Sequence, residues 1–255
     1  NAFKLFESNS KQLLVNGDCQ LIQKYIKADY KWSTILTKDV DYSLIPIIQK
    51  STSTIADYYE NGKLMSRIEI PIPGQHNLSN VAAAIAACRI YNIDFEKIKA
   101  KIANLNLPHK RFEFKGDFEG RTIVDDYAHH PQEIKATIKL GRLFLDEKNK
   151  YKRLIAIFQP HRFSRVNEFF MDFANELALA DQIILTNIYG AGEQNMNNIN
   201  SSIIAKEIYK TNKNVVIIKD NYEIGRKFTN LTQENDLIIN MGAGDCHNLW
   251  RILRS

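Results

Sequence analysis

Downstream of residue 110 the chain alternates two kinds of segment. Short runs such as Leu154-Ile155-Ala156-Ile157-Phe158 and Leu237-Ile238-Ile239 have no polar position within them, as strands covered on both faces do. Between the runs, apolar residues recur every three or four positions, the mark of helices with one buried face. The pattern predicts strands over 122–125, 153–158, 182–188, 214–218 and 236–241. Helices are expected over 132–145, 165–179, 202–209, 222–230 and 246–253. Strands alternating with helices of this length predict a Rossmann-like, doubly wound, mostly parallel sheet, an α/β fold. Ahead of it, residues 112–121 alternate apolar with charged and turn at glycines, as a hairpin does.

The first hundred residues read differently. Phe3, Leu5 and Phe6 in residues 1–9 look like the tail of a helix, followed by a buried strand over 12–16 and a short helix over 21–28. From residue 32 to 70 the period drops toward two, so short strands are expected, with polar turns at Lys38-Asp39 and Asn61-Gly62. Pro71-Ile72-Pro73-Gly74 breaks the pattern, and an alanine-rich helix is expected over 81–91, with Asn77 and Asn80 near its start. Capping explains one of those asparagines but not both. A second helix over 94–105 has cap candidates in Asn92 and Asp94. Pro108 then stops it, and the polar, basic residues 106–111 predict a hinge. The expected domains are therefore 1–107 and 108–255.

Composition narrows the function classes. With 255 residues, 44% of them apolar, the chain suffices for two domains with cores. No apolar run approaches the roughly 20 residues of a membrane span, and the first residues lack the layout of a signal peptide, so a reducing cytoplasm is the expectation. Three scattered cysteines, Cys19, Cys88 and Cys246, show no Cys-x-x-Cys spacing and predict neither a disulfide framework nor a zinc site. The formal charge of +5 is spread along the chain, which argues against a nucleic-acid face and favours a small anionic substrate.

The chemistry concentrates where predicted strands hand over to helices. Asp125-Asp126-Tyr127-Ala128-His129-His130-Pro131 places two carboxylates, a phenol and two imidazoles in one such loop. Pro131 suits a first helical position. Gln159-Pro160-His161-Arg162-Phe163-Ser164-Arg165 repeats the design with an imidazole and two guanidiniums, a set suited to a carboxylate or phosphate. In open α/β sheets ligands bind at the carboxyl ends of strands. If the two strands are neighbours, both loops meet at one sheet edge.

Together with Gly74-Gln75-His76-Asn77-Leu78-Ser79-Asn80, Lys110-Arg111-Phe112, and the weaker Tyr189-Gly190-Ala191-Gly192-Glu193 and Gly242-Ala243-Gly244-Asp245, these motifs resemble those of the Mur ligases of peptidoglycan synthesis. The resemblance covers essentially the whole chain but only the back part of a family member. It implies the second half of a central ATP-binding domain over 1–107 and a complete C-terminal ligase domain over 108–255. It also implies an ATP-dependent amide-bond-forming ligase that activates a carboxylate as an acyl phosphate, which an amino group then attacks. ATP and Mg2+ are the implied cofactors, with the main magnesium ligands outside these residues. No Gly-Lys-Ser/Thr phosphate loop occurs in the sequence, so the fragment is expected to be inactive alone.

By the same resemblance, Asn80 would contact the adenine edge, Arg111 the ribose and phosphates, and Asp126 the ribose hydroxyls, while Asp125 is open to a structural reading. His161, Arg162 and Arg165 would hold the carboxylate of an incoming amino acid, with Tyr127 and His129 completing the pocket. Cations at a helix start oppose its dipole and need an anionic partner, which favours that reading for the two arginines. His76 and His130 suit packing or capping better than catalysis. No residue is assigned a catalytic role and no metal site is expected. The Gln-Pro-His-Arg-Phe motif favours members that add L-alanine to UDP-N-acetylmuramate over those that reattach recycled murein tripeptide, which share the Asp-Asp-aromatic-Ala-His-His-Pro loop. A non-catalytic nucleotide- or peptide-binding module is the alternative from another class.

Overall fold

A computed structural model describes residues 2–148 and 150–255. Asn1, at the head of the expected first helix, lies outside them. The chain divides into two compact units, Asn1–Asn106 and Leu107–Ser255.

In the first unit, α1 (Ala2–Asn9), β1 (Leu14–Asn16) and α2 (Gln20–Tyr25) precede a run of strands, β2 (Tyr30–Ser33), β3 (Tyr42–Gln49), β4 (Thr54–Glu60) and β5 (Lys63–Ile70). They form one sheet in the order β1-β2-β3-β4-β5. Its first three strands are parallel and the rest antiparallel. Asn61 and Gly62, with φ of 48° and 77°, make the β4–β5 hairpin turn, a pair of left-handed positions that Asn-Gly fills at little cost. Pro46 lies inside β3 where the register shifts, which spares the ladder an amide it cannot supply.

The alanine-rich helix α3 (Gln75–Ile90) begins six residues earlier than the sequence pattern suggests. Gly74 takes the N-cap position at φ 94°, and buried Leu78, Val81, Ala82 and Ile85 already share one helical face. Neither asparagine is the cap: Asn77 donates its side-chain amide to the Pro73 carbonyl at 2.7 Å. Asn80 stands exposed in the second turn. In α4 (Phe95–Ile102), Asp94 is the cap and accepts from the Glu96 N–H at 2.9 Å.

The second unit starts with the hairpin β6 (Glu113–Phe118) and β7 (Arg121–Asp126) and then alternates. The elements are α5 (Pro131–Lys148), β8 (Arg153–Phe158), α6 (Phe163–Leu177), β9 (Gln182–Leu185), α7 (Ser202–Thr211), β10 (Val215–Ile217), α8 (Asn221–Leu231) and β11 (Asp236–Met241). A 3-10 turn at Cys246–Asn248 leads into α9 (Leu249–Leu253). The sheet order is β10-β9-β8-β11-β7-β6, parallel throughout except for β6.

One expectation is corrected here. β7 and β8 are not neighbours, because the last strand, β11, inserts between them. Their loops still meet one edge, since all three strands run the same way: Asp126, Met241 and Phe158 are register partners, and Leu185 continues the row.

Both sheet faces are covered. On one, Val124, Ala156, Ile183 and Ile239 pack with Ile134, Ile138 and Phe173; on the other, Ile123, Ile155, Ile184 and Ile238 pack with Ile224, Phe228 and Leu249. Helix α5 approaches the sheet so closely that a Cβ on Gly141 would stand 2.7 Å from Ile239 Cδ1 and 2.8 Å from Leu154 Cδ1, both in fully buried side chains. At an exposed helix position Gly→Ala gains about 1 kcal/mol. Here overpacking, which costs about 1–3 kcal/mol, opposes it. Gly141→Ala is therefore expected to lower stability by about 1 kcal/mol in urea denaturation, and a gain would show that the sheet yields.

Candidate functional site

The site is built on the row Asp126, Met241, Phe158, Leu185 and the loops that follow. Asp126, 7% exposed, ends β7 with both oxygens engaged. Oδ2 accepts from the Phe112 N–H at 2.8 Å and Oδ1 from the Ala128 N–H at 2.7 Å. The Tyr127 N–H donates back to the Lys110 carbonyl at 2.8 Å. Those bonds hold residues 110–112 against the loop, with Lys110 and Phe112 in left-handed conformations at φ 59° and 46°. Asp126 is thus first a structural clamp. Burial pushes its carboxyl up, against the lowering effect of the two N–H groups and Arg111. Asp125, 3% exposed, accepts from Asn240 Nδ2 at 2.9 Å and is likewise raised by burial.

Glu133, which the sequence reading did not single out, gathers the same loop. Its Oε2 accepts from the N–H groups of His129 and His130 at 3.0 and 3.2 Å, so the third helical residue of α5 reaches back over the helix start. A Glu three positions after a residue that precedes Pro was the available signal. Glu133 Oε2 also lies 3.3 Å from His129 Nδ1, and Oε1 3.8 Å from the half-exposed Arg111 guanidinium.

The second loop meets the first through its rings. The His129 and His161 ring centroids are 5.9 Å apart, Tyr127 stands edge-on to His129 at 5.1 Å, and His161 stacks on Tyr189 at 5.6 Å. His161 is lowered by burial first, then by Arg165, His129 and Arg162. Arg165 approaches His161 Nδ1 at 3.3 Å and has no ion pair with a carboxylate among the described residues. Arg162, at φ 69°, holds its N–H on the Tyr189 carbonyl at 2.8 Å. Its guanidinium lies 3.6 Å from Glu193, whose carboxylate also accepts from Ser164 N–H and Oγ. The start of α6 therefore carries its own anion, and the dipole argument for an external one applies to Arg165 rather than Arg162.

Tyr127, His129, His161, Arg162 and Arg165 thus share one edge of the second unit with Arg111 and Asp126. Asn80 belongs to the first unit. Among the described residues no group of three His, Cys, Asp or Glu is arranged to hold a metal ion. No helix among them is long and apolar enough to cross a membrane.

A doubly wound sheet with imidazoles and guanidiniums at its carboxyl edge gathers the kinds of groups that pair with carboxylates and phosphates, at the edge where such sheets place ligands. The family model "Mur ligase, glutamate ligase domain" matches residues 110–244, and the chain belongs to that family. Its members are ATP-dependent amide ligases. A UDP-N-acetylmuramate–L-alanine ligase of Prochlorococcus marinus subsp. pastoris is 54% identical over all of this chain and 55% of its own length. One from a Synechococcus strain is 40% identical over 98% of this chain and 53% of its own. The chain thus spans about half the length of the curated relatives it matches. Among solved structures, a UDP-N-acetylmuramate-alanine ligase from Thermotoga maritima shares the fold at TM-score 0.78 and 23% identity, over 99% of this chain and 53% of that one. A murein peptide ligase from Psychrobacter arcticus follows at 0.65 and 18%, over 91% and 47%.

Two predictions follow from the paired aspartates. Asp126→Ala strands two buried N–H groups, at about 1–3 kcal/mol each, and is expected to cost roughly 2–5 kcal/mol in equilibrium unfolding. Asp125 is raised in the fold above its ordinary 3.8, so the folded state holds its proton more tightly than the unfolded one. Its contribution to stability is then greatest at low pH and declines as pH rises from about 4 through the raised value. Asp125→Asn is expected to gain stability relative to the parent over that rise, and a constant difference would contradict the shift.

Proposed function

We propose that the chain is the C-terminal portion of an ATP-dependent ligase that adds L-alanine to UDP-N-acetylmuramate. The single observation that supports this most is the pairing of the half-buried Arg165, without a carboxylate partner among the described residues, with the His129–His161 ring cluster beside it. An α-amino acid carries its carboxylate and amine on one carbon, so a guanidinium and an imidazole must be near neighbours to receive both. The names of the curated relatives agree with this substrate pair.

In this reading His161, Arg162 and Arg165 receive the alanine carboxylate, with Tyr127 and His129 closing the pocket. Arg111 serves the nucleotide phosphates, for which its half-exposed guanidinium is suited. Asp126 holds Arg111's backbone neighbours in place and keeps free lone pairs for a ribose hydroxyl. Asn80 is assigned to the adenine edge, its exposed amide able both to donate and to accept. Residues 1–107 act as part of an ATP-binding domain and 108–255 as the ligase domain. ATP supplies the phosphoryl group that activates the substrate carboxylate. Among the described residues the carboxylates form no group arranged to hold Mg2+, so the ion's main ligands are assigned outside them.

The test is phosphate release by the protein that carries this sequence, which should require ATP, UDP-N-acetylmuramate and L-alanine together. Loss of a charge-assisted bond of about 1.5–3 kcal/mol raises KM roughly 10- to 150-fold. Arg165→Ala is expected to raise the alanine KM by about that factor and leave the ATP KM within about twofold, with a smaller effect for Arg162→Ala, already paired with Glu193. Equal losses for both ligands, or preference for a tripeptide over alanine, would overturn the assignment.

A further inference from the structure

The ligation implied above has a proton problem. An amino acid arrives as an ammonium ion, which has no lone pair, and the acyl phosphate cannot be attacked until one proton is removed. Several groups at the sheet edge are candidates to take it, and their surroundings separate them.

Asp126 is buried, each of its oxygens already accepts a buried N–H group, and its remaining lone pairs are assigned to the ribose. His130 Nδ1 accepts from the Gln132 N–H at 3.4 Å, so its lone pair is already engaged, and its ring packs on Phe169 at 5.2 Å. His161 turns Nδ1 toward the Arg165 guanidinium, a donor, so that nitrogen must carry a lone pair and serves to orient Arg165.

His129 is the opposite case. Its Nδ1 has two neighbours, the Tyr127 carbonyl at 2.8 Å and Glu133 Oε2 at 3.3 Å, and both can only accept. The hydrogen-bond network therefore places the proton on Nδ1 and leaves Nε2 as the basic nitrogen. The ring is mostly covered, with 21% of the side chain exposed, and stands edge-on to His161, which holds Arg165. Glu133 supplies what an imidazole needs when it becomes imidazolium, a carboxylate fixed on the far nitrogen. That carboxylate is itself fixed by two backbone N–H groups.

We propose that His129 is the general base of amide formation and Glu133 its positioning residue. The inference rests on the ligase reading. His129 Nε2 takes one proton from the α-ammonium group. The freed nitrogen lone pair bonds to the acyl carbon, and the carbon–oxygen bond to phosphate breaks. The second amine proton leaves with the phosphate as hydrogen phosphate, and His129 returns its proton to solvent.

Hydroxylamine tests this, because it is a largely neutral nucleophile near neutral pH and needs no base to attack an acyl phosphate. General-base catalysis contributes roughly 10²–10⁴-fold. With ATP and UDP-N-acetylmuramate, His129→Ala is expected to lose alanine ligation by about that factor in kcat. Hydroxamate formation should stay within about threefold of the parent, and added imidazole should restore part of the alanine reaction. Glu133→Gln keeps an oxygen for the two N–H groups, so it should fold normally and show the same split to a lesser degree. Equal losses with both nucleophiles in both variants would overturn the proposal. Absence of ATP-dependent hydroxamate from the full-length protein that carries this sequence, without any substitution, would instead defeat the ligase reading, and the role of His129 with it.

Discussion

The second unit depends on a row of register partners. Asp126, Met241, Phe158 and Leu185 lie side by side because four strands run parallel through two covered faces. Backbone pairing of this kind allows no slip of one residue, since every buried Ile and Leu would change face. The chemistry at the carboxyl edge inherits that rigidity. Each functional loop begins from a fixed strand end and finishes on a helix whose own face is buried, so only a few torsions per loop remain to be set.

Those torsions are set at a cost. Lys110, Phe112 and Arg162 hold positive φ angles without being glycine, each unfavourable by about 1–3 kcal/mol where the conformation is sparsely populated. Each is answered by a bond from a neighbouring loop. The Lys110 carbonyl accepts from Tyr127, the Phe112 N–H donates to Asp126, and the Arg162 N–H donates to Tyr189. The loops thus brace one another across strands distant in sequence, and carboxylates do much of the bracing. Asp126, Glu133 and Glu193 each accept backbone N–H groups while facing a guanidinium. Their negative charge organises the positive groups that are left to meet a ligand.

The same economy separates the histidines. Four acceptor and donor positions around His129, His130 and His161 assign three different duties to rings that are chemically identical in the sequence. One nitrogen faces two acceptors, another a helix N–H, and the third a guanidinium. Burial and two arginines further disfavour a charge on His161. Which imidazole is left with a nitrogen lone pair free to take a proton is therefore a matter of neighbours a few ångströms away.

Much of this was legible in the residue order. Unbroken apolar runs such as 154–158 specify doubly covered strands, helical spacing specifies the elements between, and Asn61-Gly62 specifies its turn, because local sterics and burial decide all three. The motif loops and their strand-to-helix placement followed from the same pattern. The insertion of β11 between β7 and β8 did not, since strand order depends on which long-range pairing buries the most surface. The start of α3 was missed because Pro-Gly marks a break while the face made by Leu78 and Val81 appears only against a sheet. Glu133 as a cap had a local signal in the residue order, but its link to Arg111 and the tautomer of His129 belong to the tertiary structure alone: hydrogen-bond partners are chosen by proximity in space, and a one-dimensional string carries no distance between Arg111, His129 and the carboxylate that joins them.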